Sequence, residues 1–281
     1  MNEENKNTVL QTLSLGQQSE YPSTYDAKLL QAVPRSLNRD ELGMTNQASF
    51  VGCDVWHAYE MSWLNAKGKP IVCLGRFSFA CHTPNIVESK SFKLYLNSFN
   101  QTRFNSQQEV LDLLAKDLSN TVGGDVSVEL FSPDDVAAFP VSKLPGMCID
   151  GLDIGIDEFV INPLLLSMDE VDQTIEETLH SHLLKSNCLI TNQPDWASVV
   201  ITYSGKKIEH AALLRYLVSF RMHNEFHEHC VERIFMDILR QCRPEKLSVH
   251  AMYTRRGGID INPFRTTEKE LIIPLSRVNR Q

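Results

Sequence analysis

Two stretches of the chain share one hydrophobic pattern. Residues 88–99 (ESKSFKLYLNSF) and 209–220 (EHAALLRYLVSF), offset by 121, place apolar side chains at Phe92, Tyr95, Leu96 and Phe99 and at Leu213, Tyr216, Leu217 and Phe220. The spacing i, i+3, i+4, i+7 predicts one amphipathic helix in each. Glu88, Tyr95, Leu96, Ser98 and Phe99 recur as Glu209, Tyr216, Leu217, Ser219 and Phe220. The flanks repeat as well. A strand-like run precedes each helix (IVCLGRFSFA at 71–80, SVVITYS at 198–204), rich in β-branched or aromatic residues. A second apolar stripe follows, Val110, Leu113, Leu114 and Leu118 in one copy and Val231, Ile234, Phe235, Ile238, Leu239 and Cys242 in the other, and then an alternating strand (DVSVELF at 125–131, LSVHAMY at 247–253). GIDI at 258–261 reads as a further strand, and IEETLHSHLLKS at 175–186 as a helical segment.

The order strand, helix, helix, strand predicts a duplicated α+β fold, each copy an antiparallel sheet with two helices on one face. No G-x-G-x-x-G opens a helix, which argues against a Rossmann cofactor site. We expect modules at 21–160 and 161–281, divided in the glycine-containing stretch PGMCIDGLDIG, after a polar tail at 1–20. That tail lacks a basic segment followed by an apolar one, so no secretory signal is expected.

Composition narrows the function. The chain of 281 residues is 42% hydrophobic, enough for a sizeable core, and its apolar runs are too short to cross a bilayer. A net charge of −8 without a long basic run argues against a nucleic-acid partner. The seven cysteines form no C-x-x-C pair and fit neither a zinc ribbon nor a disulfide framework. Reduced thiols in a cytoplasm are expected, most of them core residues.

The repeat also shows what each copy keeps to itself. Leu64 and Ile71 stand where the second copy has Cys188 and Asp195, and Asn105-Ser106 where it has His227-Glu228. Conversely, Ser89-Lys90-Ser91 faces His210-Ala211-Ala212. This division predicts one composite site. In SNCLITNQPDWA (186–197), Cys188 lies in a polar loop and Asp195 opens the next strand, so the carboxyl can point back across the bend. An ionised carboxylate raises the pKa of a neighbouring thiol, so the pair suits a nucleophile beside a proton donor to substrate. His227-Glu228 opens a helix, where an acid complements the helix dipole; alternatively, the carboxylate accepts paired N–H donors from a guanine-like edge. Crowding by His223 and His229 suggests a metal, but nothing nearby completes a ligand spacing, and no metal is expected. Ser89 or Ser91 can cap the first helix, or this turn can hold phosphate through backbone N–H groups and Lys90. Arg255-Arg256-Gly257-Gly258 is a second basic, flexible turn.

Taken together, ESKSFKLYLNSF at 88–99, the spacing from Cys188 to QPD, FHEHCVERI at 226–234 and YTRRGGIDINPF at 253–264 resemble the NADPH-dependent 7-cyano-7-deazaguanine reductases in their long, two-module form. The resemblance runs over most of the chain from about residue 20. It implies tandem tunnelling-fold (T-fold) modules, a homodimer, and four-electron reduction of a nitrile in queuosine biosynthesis. By the same resemblance Cys188 is the nucleophile and Asp195 the proton donor. Val87, Glu88, Ser89, His227 and Glu228 hold the deazapurine, and Ser89, Lys90, Arg256 and Gly257 contact NADPH. Leu189-Ile190 follows the cysteine where short members usually carry Pro-Val. Two other readings remain open from the residues: a cysteine-dependent hydrolase of a purine-like or pterin-like ring, and a binding module without catalysis.

Overall fold

The computed structural model describes residues 21–44, 49–170, 174–270 and 272–281; the tail expected at 1–20 lies outside them. The chain divides into two compact units. The first comprises residues 1–45, 54–140 and 255–260, and the second residues 46–53, 141–254 and 261–281.

In the first unit, β1 (Ala32–Pro34) pairs antiparallel with β4 (Asn85–Val87). A separate ladder runs β5 (Val126–Phe131), β3 (Pro70–Ala80), β2 (Val51–Leu64). Besides a single turn at Ser36–Arg39, its helices are α1 (Ser89–Ser98) and α2 (Gln107–Val122). The second unit carries the strand order β11 (Ile259–Thr266), β10 (Lys246–Tyr253), β9 (Pro194–Lys206), β7 (Thr174–Ser181), β6 (Met147–Cys148), with β8 (Lys185–Asn187) also on β9. Its helices are α3 (His210–Ser219) and α4 (His227–Cys242). β3–β5, β7–β9, β8–β9, β9–β10 and β10–β11 pair antiparallel, and β6 makes a two-residue parallel contact with β7. The α+β class and the duplicated strand–helix–helix–strand order are therefore as expected.

The internal repeat has a structural cause. Glu88 caps α1, its carboxylate accepting from the backbone N–H groups of Lys90 and Ser91 at 2.7 Å each. Glu209 caps α3 in the same way, through Ala211 and Ala212. Tyr95 donates its hydroxyl to Asp117 at 2.7 Å, and Tyr216 donates to Asp237 at 2.7 Å. Ser98 and Ser219 each donate to the tyrosine carbonyl three residues earlier, at 2.6 Å. Phe99 and Phe220 meet those tyrosines edge-on, with centroids 5.1 and 5.3 Å apart. Thus four of the five identities perform matching work in both copies, and Leu96 and Leu217 are both buried.

One expectation is corrected. Residues 175–186, read as helical, form β7 and β8 instead. Leu179, Leu183 and Leu184 mimic a helical stripe, but 174–181 pairs residue by residue with β9, burying Leu179 and Ser181 on one face. Tertiary pairing overrides local pattern here.

Candidate active site

The second unit gathers Cys188, Asp195, His227 and Glu228. Strands β8 and β9 form a hairpin in which Ser186 faces Asp195 and Asn187 faces Pro194. Side chains alternate along a strand, so Ser186, Asp195 and, one step beyond the ladder, Cys188 share a face. The loop between them is closed by its own backbone. Cys188 N–H donates to the Gln193 carbonyl at 2.8 Å, and Asn192, at φ 55°, returns its N–H to the Cys188 carbonyl at 3.1 Å. Asn224 Nδ2 donates to the same carbonyl at 3.1 Å and to Asn192 Oδ1 at 3.0 Å. The loop is thus stiffened by its own hydrogen bonds. Cys188 is only 7% exposed.

Helix α4 brings the next two residues. In the first copy α2 begins with a capping box: Ser106 accepts from Glu109 N–H at 3.1 Å, and Glu109 accepts from Asn105 N–H at 2.9 Å. In the second, the residue before the helix is Phe226, which supplies no side-chain cap, and the first turn instead holds His227 and buried Glu228. Losing a cap costs roughly 1 kcal/mol, so this copy gives up stability where the candidate ligand residues sit. His227 Nε2 lies 3.2 Å from Asp195 Oδ2, and its ring stacks on Tyr253 with centroids 3.9 Å apart.

Neighbouring groups hold this corner in place. Asn187 N–H donates to the His223 carbonyl at 2.7 Å, and Glu225 N–H donates back to the Asn187 carbonyl at 3.1 Å, tying β8 to the entry of α4. Arg233 forks onto Glu225, with Nη2 2.8 Å from Oε1 and Nε 3.1 Å from Oε2; His223 adds a contact at 3.1 Å. Burial opposes charge on Glu225, but hydrogen bonds from His223 and Arg233, with their positive charge, hold its pKa down at about 2. Burial pushes the Cys230 thiol up to about 12 and the Tyr253 hydroxyl well above its usual range, in the latter with help from Cys230 and Asp195. Both stay protonated at neutral pH. Lys185 is shifted downward by burial and by Arg221, against the pull of Asp195. Sequence reasoning missed Glu225, Arg233 and Tyr253. Tyr253 and Arg233 each stood within a quoted motif, but nothing in the sequence paired Arg233 with Glu225 beyond opposite charge.

The remaining candidates belong to the first unit. Val87 ends β4, and Glu88, Ser89 and Lys90 open α1. Neither Ser89 nor Ser91 caps this helix; Glu88 does, and it thereby occupies the N–H groups of Lys90 and Ser91 that were expected to meet phosphate. A phosphate here would meet the side chains of Ser89 and Lys90. Glu88 is fully buried; burial raises its pKa against those two N–H groups and the charges of Lys93 and Lys90. Arg256 and Gly257 lie in a turn closed by Arg256 N–H to the Ile259 carbonyl at 3.0 Å. Gly257 and Gly258 both adopt left-handed backbone, at φ 61° and 73°. A side chain at Gly258 would also strike the Glu60 carboxylate. The Arg255 guanidinium sits 3.9 Å over the Tyr59 ring.

Comparisons with known proteins bear on the family. A family described as the N-terminal part of nitrile reductase, 7-cyano-7-deazaguanine-reductase, matches residues 21–130, and one described as QueF-like protein matches residues 194–271. A relative from Colwellia psychrerythraea, named NADPH-dependent 7-cyano-7-deazaguanine reductase, is 56% identical over 98% of both chains. By that identity and coverage, the chain belongs to the 7-cyano-7-deazaguanine reductase family.

Proposed function

We propose that this chain reduces the nitrile of 7-cyano-7-deazaguanine to the aminomethyl group, using two NADPH per turnover and a covalent thioimide on Cys188. The observation that carries the reading is the β8–β9 hairpin, in which Cys188 and Asp195 share a face and His227 touches the acid. A nitrile carbon is a poor acceptor of hydride, and sulfur addition makes it a better one. The Cys188 thiolate adds to that carbon while Asp195 gives its proton to the nitrogen, where negative charge would otherwise build. His227, 3.2 Å from Asp195, is placed to return a proton to it. After the first reduction the carbon–sulfur bond breaks, the electron pair returns to sulfur, and an imine remains. Second reduction and protonation give the amine. Glu228, buried at the head of α4, accepts N–H donors of the deazapurine. Burial of Cys188 and Asp195 keeps bulk water from hydrolysing the imine.

The first-unit turn fits part of a dinucleotide. Lys93 packs against Gly257, and the two share with Asn97, Asn100 and Glu60 a cavity of about 260 Å³. That volume has room for a phosphate or a ribose, below the usual range for a whole drug-sized ligand. Ser89, Lys90, Arg256 and Gly257 would hold the phosphates, and Glu60 is the acidic group lining the cavity. When bound, NADPH supplies the hydrides. The chain acts as a homodimer on a small-molecule deazapurine, in the cytoplasm; among the described residues no helix is long and apolar enough to cross a membrane.

The test is NADPH consumption on adding a limiting, known amount of the nitrile. Two equivalents oxidised per substrate, with the aminomethyl product by mass spectrometry, is the expected result. A mass adduct on Cys188 without oxidation would overturn the reductase and favour a cysteine-dependent hydrolase. Neither oxidation nor adduct would leave a binding module.

A further inference from the structure

None of the seven cysteines is in a disulfide, and Cys148 is the exposed one among them. It lies on β6, in parallel register with β7, so that Cys148 stands opposite His180. His182, two residues after His180 and just past the end of β7, projects from the same face. The Sγ of Cys148 and one ring nitrogen of each histidine all lie within 4.8 Å of one another. No other group of three or more histidine, cysteine or carboxylate ligands comes together in this way among the described residues.

Each imidazole is also oriented from behind. His180 Nδ1 lies 2.8 Å from the Pro145 carbonyl, which only accepts, so Nδ1 carries the proton and Nε2 the lone pair. His182 Nδ1 lies 2.8 Å from the Ser198 hydroxyl, which leaves Nε2 as its ligand nitrogen too. Asp150 fixes the backbone between them, accepting from the Ser181 hydroxyl at 2.6 Å and from His182 N–H at 2.9 Å. A carbonyl or hydroxyl behind Nδ1 is the outer-shell arrangement that metal-binding histidines use. The two rings meet edge to face, with centroids 5.5 Å apart and planes at 71°.

We propose that Cys148, His180 and His182 bind a borderline transition ion, zinc(II) foremost, with water in the fourth position. One thiolate and two imidazoles suit zinc by ligand type, and a tetrahedral site accepts three protein ligands and one water. Binding releases the thiol proton. The ion would bridge β6 to β7, whose ladder is only two residues long, and so fasten residues 145–150 to the sheet edge. These residues are separate from those assigned to nitrile reduction. The sequence reading expected no metal because nothing near His223 and His229 completes a ligand spacing and the cysteines form no C-x-x-C pair.

The test uses the full chain without a histidine tag, stripped with a chelator and titrated with zinc against a chromophoric competitor. One equivalent is expected to bind tightly in the wild type and in Cys188→Ala. The Cys148→Ala and His180→Gln variants should lose it, weakening affinity by more than the roughly 10–100-fold that loss of an outer-shell partner costs. Cobalt(II) should give a thiolate charge-transfer band and tetrahedral visible bands, both absent in Cys148→Ala. Zinc should also slow alkylation of Cys148 and cleavage of residues 145–150 by a protease. Absence of stoichiometric binding, retention of it in Cys148→Ala, or its loss in Cys188→Ala would each overturn the proposal. Circular dichroism of each variant separates lost ligation from lost folding, and failure of nitrile reduction leaves all these readouts intact.

Discussion

Replacing Glu225 with Gln should destabilise the second unit in a pH-dependent way. The carboxylate is buried beneath the entry to α4 and receives Arg233 and His223. Its pKa falls from an ordinary 4.5 to about 2 on folding. A group whose folded pKa is depressed contributes stability that is complete above its unfolded value and is lost as pH falls through the folded one. Here the window is roughly pH 4.5 down to 2. At 1.36 kcal/mol per pH unit, that shift is worth about 3 kcal/mol at pH 7 and about 2 kcal/mol at pH 3.5. Loss of one partner from a buried ion pair has a similar cost, about 3–5 kcal/mol. Urea unfolding of wild type and Glu225→Gln, followed by fluorescence at both pH values, measures the difference. The gap should narrow by about 1 kcal/mol between pH 7 and 3.5. A gap under 1 kcal/mol at pH 7, or one that widens as pH falls, would refute the assignment of the shift to this fork. Because the Glu225 carboxylate holds Arg233 of α4 and the ring of His223, whose carbonyl receives Asn187 of β8, turnover of the folded variant should fall, with KM for the nitrile rising.

Cys188→Ala should abolish both the covalent adduct and turnover, measured by intact-protein mass and NADPH oxidation. Asp195→Asn should still bind the deazapurine by calorimetry, yet form the adduct at least 100-fold more slowly, the usual scale for a lost general acid. The tyrosine–aspartate bonds of the two copies should respond unequally to removal of the hydroxyl. Asp117 also accepts from Tyr25 at 2.7 Å, so Tyr95→Phe leaves it a donor, whereas Tyr216→Phe removes the hydroxyl that Asp237 receives. Thermal melts should show the second substitution costing more, by about 1–2 kcal/mol.

The helices and flanking strands were legible because their positions repeat under one physical demand. Glu88, Tyr95, Ser98 and Phe99 recur because a helix start must be capped and a buried hydroxyl must be bonded, and both bonds are local. Cys188 and Asp195 were legible for the same reason: a short hairpin keeps near neighbours in sequence close in space. Residues 175–186 were misread because the leucines of β7 and the loop after it fall at helical intervals, while the strand that pairs with them lies some twenty residues on. The Glu88 cap was missed because Ser89 and Ser91 are the commoner caps. Glu225 with Arg233, and Cys148 with its histidines, were invisible because tertiary packing alone brings them together.

The make-up of the first unit bears on how the chain is made. His57 Nδ1 lies 2.8 Å from Asp260 Oδ1, Tyr59 donates its hydroxyl to Asp260 Oδ2 at 2.6 Å, and Tyr59 N–H donates to the Gly258 carbonyl at 2.9 Å. These partners are about two hundred residues apart, whereas the bond from Tyr95 to Asp117 spans 22. On the ribosome, α1 and α2 can therefore dock early, but the unit containing them cannot close until nearly all of the chain has emerged. Contacts of such long range slow folding. A fragment ending at residue 140 would carry one family signature in full and still lack the segment that completes its own unit.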